Sequence, residues 1–122
     1  MTAVLDASAV LAFLAGEPGA DAVEEALAGG TVCSAVNWSE VAQKIRAGGG
    51  DWSVASALLA SYGLSLQDAT ARDGEAAAAL WQRGSGLSLA DRFCLALANR
   101  LDVVALTADT AWGSSERVRQ IR

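Results

Sequence analysis

Ten residues near the start of the chain, Val4 to Phe13, are apolar except for Asp6 and Ser8. An apolar run without alternation is the pattern of a strand buried on both faces, as in a parallel sheet. Ser8 is a suitable N-cap, and Val10, Leu11, Phe13 and Leu14 keep helical spacing after it. Asp6 is therefore expected where a buried strand turns into a helix, the edge at which open α/β sheets bind ligands. The competing reading is that Asp6 only caps the helix.

Composition narrows the chemistry. The 122 residues suit one domain spanning 1–122, large enough to bury roughly two thirds of its unfolded surface. A hydrophobic content of 52% and a mean hydropathy of +0.29 exclude a disordered chain. Asp6, Glu17 and Asp21 interrupt the first apolar stretch before it reaches the ~18 residues of a membrane span. Met1-Thr2 leads at once into the first strand without a basic leader, so no signal peptide is expected. Cys33 and Cys94 lie in apolar segments and read as buried, reduced thiols of a cytoplasmic protein. A net charge of −5 argues against nucleic-acid binding through a basic surface and suits a chain that holds cations or meets a basic partner. There is no histidine. That excludes Ser-His-Asp and Cys-His nucleophiles, histidine metal sites and histidine acid–base ribonuclease chemistry. Any metal must be held by oxygen, which points to Mg²⁺ or Mn²⁺.

Along the chain, strands alternate with helices, the signature of a parallel α/β sandwich. Strands are expected at Thr31 to Val36, Leu64 to Gln67, Val103 to Leu106 and Val118 to Ile121. Helices are expected from Ala20 to Ala28, from an Asn37 cap, from an Asp51 cap, from Thr70 to Arg83, and from a Ser88 cap to Leu101. Four carboxylates then share one kind of place. Asp6 and Asp109 follow buried strands, while Glu40 and Asp91 fall three residues after Asn37 and Ser88. Each has a structural reading: capping boxes at Asn37–Glu40 and Ser88–Asp91, an i, i+4 pair of Glu40 with Lys44, and a turn at Asp109. If both strands share one parallel sheet, Asp6 and Asp109 emerge at the same edge. Converging carboxylates repel unless cations neutralise them, and a histidine-free cluster of that kind suits metal-assisted phosphodiester hydrolysis.

The series Val4-Leu5-Asp6-x-Ser8, Ser39-Glu40, Leu87-Ser88-x-x-Asp91 and Leu106-Thr107-x-Asp109 resembles the PIN domain, and the length resembles VapC-type toxins of toxin–antitoxin pairs. The resemblance covers nearly the whole chain. It implies a three-layer α/β sandwich with a central, mostly parallel sheet of order 3-2-1-4-5. Asp6, Glu40, Asp91 and Asp109 would bind Mg²⁺ or Mn²⁺ and cut RNA, with Ser8 and Thr107 supporting the metal site. Asp68 would fall at an edge strand, outside the site. Lys44 and Arg92 are candidates for meeting substrate phosphate, while Trp38, on a helical stripe, is assigned to the core. The implied partners are a VapB-like antitoxin, lying in an apolar groove and inserting a basic side chain among the carboxylates, and a second copy in a homodimer. Trp52, Leu59 and Tyr62 are apolar side chains that one small core need not absorb.

Two other classes share part of this pattern. A phosphoryl-accepting receiver domain shares the length and an acidic Mg²⁺ pocket, but needs paired acidic residues after the first strand and a lysine after the last core strand. Here Asp6 is followed by Ala7 and Ser8, and the only lysine, Lys44, lies within a helix segment. A dehalogenase-type phosphatase needs an aspartate where Ser8 stands. A catalytically silent PIN-like binding module shares every feature above.

Overall fold

In the computed structural model, residues 3–122 are described. The expectation for Met1 and Thr2 lies outside the described residues. Five strands, β1 (Ala3–Leu5), β2 (Thr31–Ser34), β3 (Ser65–Gln67), β4 (Val104–Thr107) and β5 (Val118–Gln120), form one sheet of order β3-β2-β1-β4-β5. Every pairing is parallel, so the sheet expected as mostly parallel is wholly so among the described residues.

The helices are α1 (Ala7–Ala15), α2 (Ala20–Ala28), α3 (Ala35–Ala47), α4 (Trp52–Ser61), α5 (Ala71–Ala79) and α6 (Leu89–Leu101). Alternation along the strands feeds two cores. Ala3, Leu5 and Leu106 meet Val10 of α1, Val23 and Leu27 of α2, Val41 of α3 and Leu59 of α4 on one face. Val4, Val32 and Ala105 meet Cys94, Leu97 and Ala98 of α6 on the other. With both faces covered, β1 has no solvent side, which is why its sequence shows no polar alternation.

Local rules misplace two helix starts. Asp6, not Ser8, is the N-cap of α1, accepting from the Ala9 N–H at 2.8 Å. Ser34 caps α3 by accepting from the Val36 N–H, so α3 begins two residues before Asn37 and Glu40 falls in its second turn. Asn37 is instead fully buried, and its amide is used in tertiary contacts. The Asp51 cap and the Ser88–Asp91 capping box are present as expected. Glycine is needed at Gly19, whose φ of 97° and whose approach to Ile121 (2.7 Å from an added Cβ) leave no room for a side chain.

The apolar surplus is also distributed differently. Leu59 is fully buried, Trp52 packs on the core and stacks edge-on against Trp38, and Tyr62 meets Phe13 with ring centroids 5.0 Å apart. The exposed large apolar residues are Val54, Leu58, Tyr62, Leu66, Trp81 and Leu89. Behind α6, the half-exposed Arg100 donates to both oxygens of Asp73 at 2.9 and 3.2 Å and locks α5 to α6.

Candidate active site

The register sets the site. Leu5 pairs with Leu106, so the next residues, Asp6 and Thr107, stand side by side where β1 and β4 end. Asp6 is 3% exposed, and both its oxygens are held. Oδ1 accepts from the Ala9 N–H at 2.8 Å and the Ser8 hydroxyl at 2.7 Å, and Oδ2 from the Thr107 hydroxyl at 2.6 Å. Each hydroxyl also accepts, Ser8 from the Ala108 N–H at 2.9 Å and Thr107 from the Asp109 N–H at 3.0 Å. Hydroxyl protons committed to Asp6 and lone pairs committed to the β4 exit fix the carboxylate in one orientation.

Burial pushes the Asp6 carboxyl up from 3.8 to about 6; the hydrogen bonds from Thr107, Ala9 and Ser8 oppose this, and the charge of Asp91 adds to it. The two cysteines record the same field. Burial raises the Cys33 thiol to about 12, helped by the charges of Asp6 and Glu40. Burial also raises Cys94 well above its ordinary value, with contributions from Asp6, Cys33, Asp91 and Glu40. The charges of Asp6, Glu40 and Asp91 thus all bear on Cys94, beneath the strand ends. Both thiols, free and buried, stay neutral and are poor ligands.

Glu40 is half-buried and takes one hydrogen bond from the Asn37 amide at 3.1 Å. Asp91 commits Oδ2 to the Ser88 N–H at 2.9 Å, so it is a cap, and its charge also bears on Asp6. Asp109 stands apart. Its carboxylate caps the short 3₁₀ turn Thr110–Trp112 by accepting from the Ala111 N–H, and its connection to Asp6 runs through its own backbone N–H and Thr107. Gln120 anchors that loop by donating to the carbonyls of Asp109 and Gly113. Lys44 is exposed one turn beyond Glu40 and, among the described residues, makes no ion pair with it. Arg92 turns its Nη1 to the Ala77 carbonyl of α5 at 3.0 Å. Asp68 is exposed beyond the edge strand β3, apart from these residues.

Among the described residues no three acidic or cysteine side chains stand close enough to hold one ion together. The donor chemistry nonetheless fits a hard divalent cation. The ionisable ligands at this edge are carboxylate oxygens, and Asp6 carries a cost of ionisation that a cation would relieve. Mg²⁺ keeps several waters and is usually bound through one or two carboxylates, so a closed cage is not required.

A family profile for the PIN domain matches residues 3–115, almost all of the chain. The chain belongs to the PIN domain family. PIN domains are generally nucleases, and they typically use divalent metals. Among solved structures, this PIN domain is similar to a chain of a toxin–antitoxin complex from Klebsiella pneumoniae, with 20% identity and a TM-score of 0.79 over 99% of this chain and 98% of that one. No curated protein matches it in sequence. Membership removes the receiver-domain alternative, and among the described residues no helix is long and apolar enough to cross a membrane.

Asn37 meets Glu40 through its side-chain amide and not through the capping box that the spacing suggests, and Gln120, as an anchor of the Asp109 loop, has no place in the sequence reading. The presence of Ser34, a second good cap three residues before Asn37, was the available signal for the first. Gln120 had none, because its partners are backbone carbonyls.

Proposed function

We propose that this PIN domain, acting as one unit over residues 1–122, is a Mg²⁺- or Mn²⁺-dependent endoribonuclease and the cytoplasmic toxin of a VapBC-type pair. The observation that carries the reading is Asp6: a carboxylate buried at the strand ends, held by the Ser8 and Thr107 hydroxyls, and raised by burial and by the charge of Asp91. A buried acid with acidic neighbours is costly unless a cation joins it. Family membership supports the nuclease activity, and the likeness in fold to a chain of the Klebsiella pneumoniae toxin–antitoxin complex supports an antitoxin partner.

Asp6, Asp91 and Glu40 would hold the ion, directly or through water, and Asp109 would join by releasing its turn or through a water. Ser8 and Thr107 keep Asp6 in one rotamer, so little ordering is left for binding to accomplish. When bound, the ion supplies an activated water and stabilises charge at the leaving oxygen. With water, and not the RNA's 2′-hydroxyl, as the nucleophile, the expected products would carry 5′-phosphates. Lys44, exposed beside Glu40, is the cation better placed to meet substrate phosphate, since Arg92 is engaged with α5. A basic side chain of the antitoxin would inhibit by neutralising the same acidic group, and a homodimer is the proposed toxin assembly.

Purified protein incubated with total RNA, in Mg²⁺, Mn²⁺ or excess chelator, is expected to cut only with metal and to leave ends that ligate as 5′-phosphates. Cleavage that persists in chelator, or 2′,3′-cyclic phosphate ends, would reject the mechanism. Metal binding without cleavage of any RNA would favour the silent binding module.

A further inference from the structure

The geometry points to Asn37 as a positioning residue for the metal site: its buried amide sets the place of Glu40 relative to Asp91. This rests on the metal-dependent reading above and assigns a residue to it. Asn37 is fully buried between two helices that pack together, α3, which carries Glu40, and α6, which carries Asp91. Its Nδ2 donates to Glu40 Oε1 at 3.1 Å and to the Ala90 carbonyl at 3.2 Å, the residue immediately before Asp91. One amide thus ties one acidic side chain to the backbone beneath another. Both hydrogen-bond partners are acceptors, so they also fix which end of the amide is nitrogen.

Two features argue that packing alone does not explain this residue. Oδ1 is buried and, among the described residues, without a hydrogen-bond partner, an unfavourable arrangement that an apolar side chain would avoid. Helix capping does not require Asn37 either, because Ser34 already caps α3. What only the amide provides is a donor aimed at Glu40. Groups that orient ligands from behind typically change metal affinity 10- to 100-fold when removed.

The test is a set of Mn²⁺ titrations of the full chain, followed by loss of the free-ion paramagnetic signal, with melting curves in chelator alongside. Asn37→Ala is expected to weaken Mn²⁺ binding about tenfold or more, and Asn37→Ser, which keeps a donor, to recover part of the loss. In a Glu40→Gln background Asn37→Ala should weaken binding no further, because its effect runs through Glu40. Asn37→Leu fills the space without a donor and should bind as weakly as the alanine variant. Unchanged affinity in Asn37→Ala or Asn37→Leu, or an equal loss in both Glu40 backgrounds, overturns the inference while leaving the metal site intact. If no variant at position 37 is folded at the titration temperature, Asn37 is a packing residue and the inference falls. A wild type that does not bind Mn²⁺ rejects the proposed function itself, and this inference with it.

Discussion

Asp6→Asn is expected to lower RNA cleavage by at least about 10³-fold while leaving a protein that, in chelator at pH 8, melts at or above wild type. The two effects have one cause. In the folded protein the Asp6 carboxyl is raised from 3.8 to about 6, chiefly by burial. The folded state therefore holds the proton more tightly than the unfolded chain. Stability contributed by the neutral form is fully present below about 4, declines as pH rises toward 6, and is lost above it. The shift corresponds to roughly 3 kcal/mol in the ionised protein. Asparagine does not ionise and escapes that cost; its one oxygen can keep the bonds from Ala9 and Ser8, while its NH2 cannot accept from Thr107 and leaves that hydroxyl to reorient. Denaturant titrations of both proteins at pH 4.5 and pH 8 in chelator should show the variant gaining on wild type as pH rises. A stability difference that does not change with pH would mean that Asp6 is not held as described.

Asp91→Asn is expected to cost at least about 10²-fold in cleavage, with a change in stability in chelator small enough to need careful measurement. Two contributions oppose each other. Losing a carboxylate from the first turn of α6 removes favourable charge and weakens the bond from the Ser88 N–H, worth about 0.3–1 kcal/mol. Removing the charge also relieves Asp6, which Asp91 helps to raise. The cap uses Oδ2 alone, so capping does not compete with the proposed site role of the same side chain. Cleavage separates them. A variant destabilised by about 1 kcal/mol but as active as wild type would reduce Asp91 to a cap.

The parallel sheet was legible because both faces of β1 are buried, which removes alternation from Val4 and Leu5 and leaves Asp6 as the one carboxylate at the strand's exit; its order came from the resemblance. The supporting roles of Ser8 and Thr107 came from the resemblance, and the structure shows both hydroxyls on Asp6. What local reasoning missed was decided by contacts distant in sequence. Ser34 and Asn37 are both good caps, and the choice between them is made by the Ala90 carbonyl, 53 residues away, which engages Asn37. Arg92 looks like a free cation beside Asp91, yet a carbonyl of α5 takes its guanidinium. Asp109 has the right spacing after β4, but its carboxylate takes the Ala111 N–H at 2.9 Å, because the chain turns immediately into a 3₁₀ segment. Spacing places backbones at an edge; it does not say which neighbour claims the side chain.

The central claim is that a hard divalent cation binds at the Asp6 edge of the folded protein. The direct measurement is the melting midpoint of wild type, Asp6→Asn and Asp68→Asn, each in chelator and in Mg²⁺. A ligand that binds only the folded state at ten times its Kd adds about 1.4 kcal/mol, enough to raise the midpoint by several degrees in a chain of this size. Wild type and Asp68→Asn, which changes an exposed aspartate away from the site, should rise together, and Asp6→Asn should not. Equal rises in all three proteins, or none in wild type, would contradict the account.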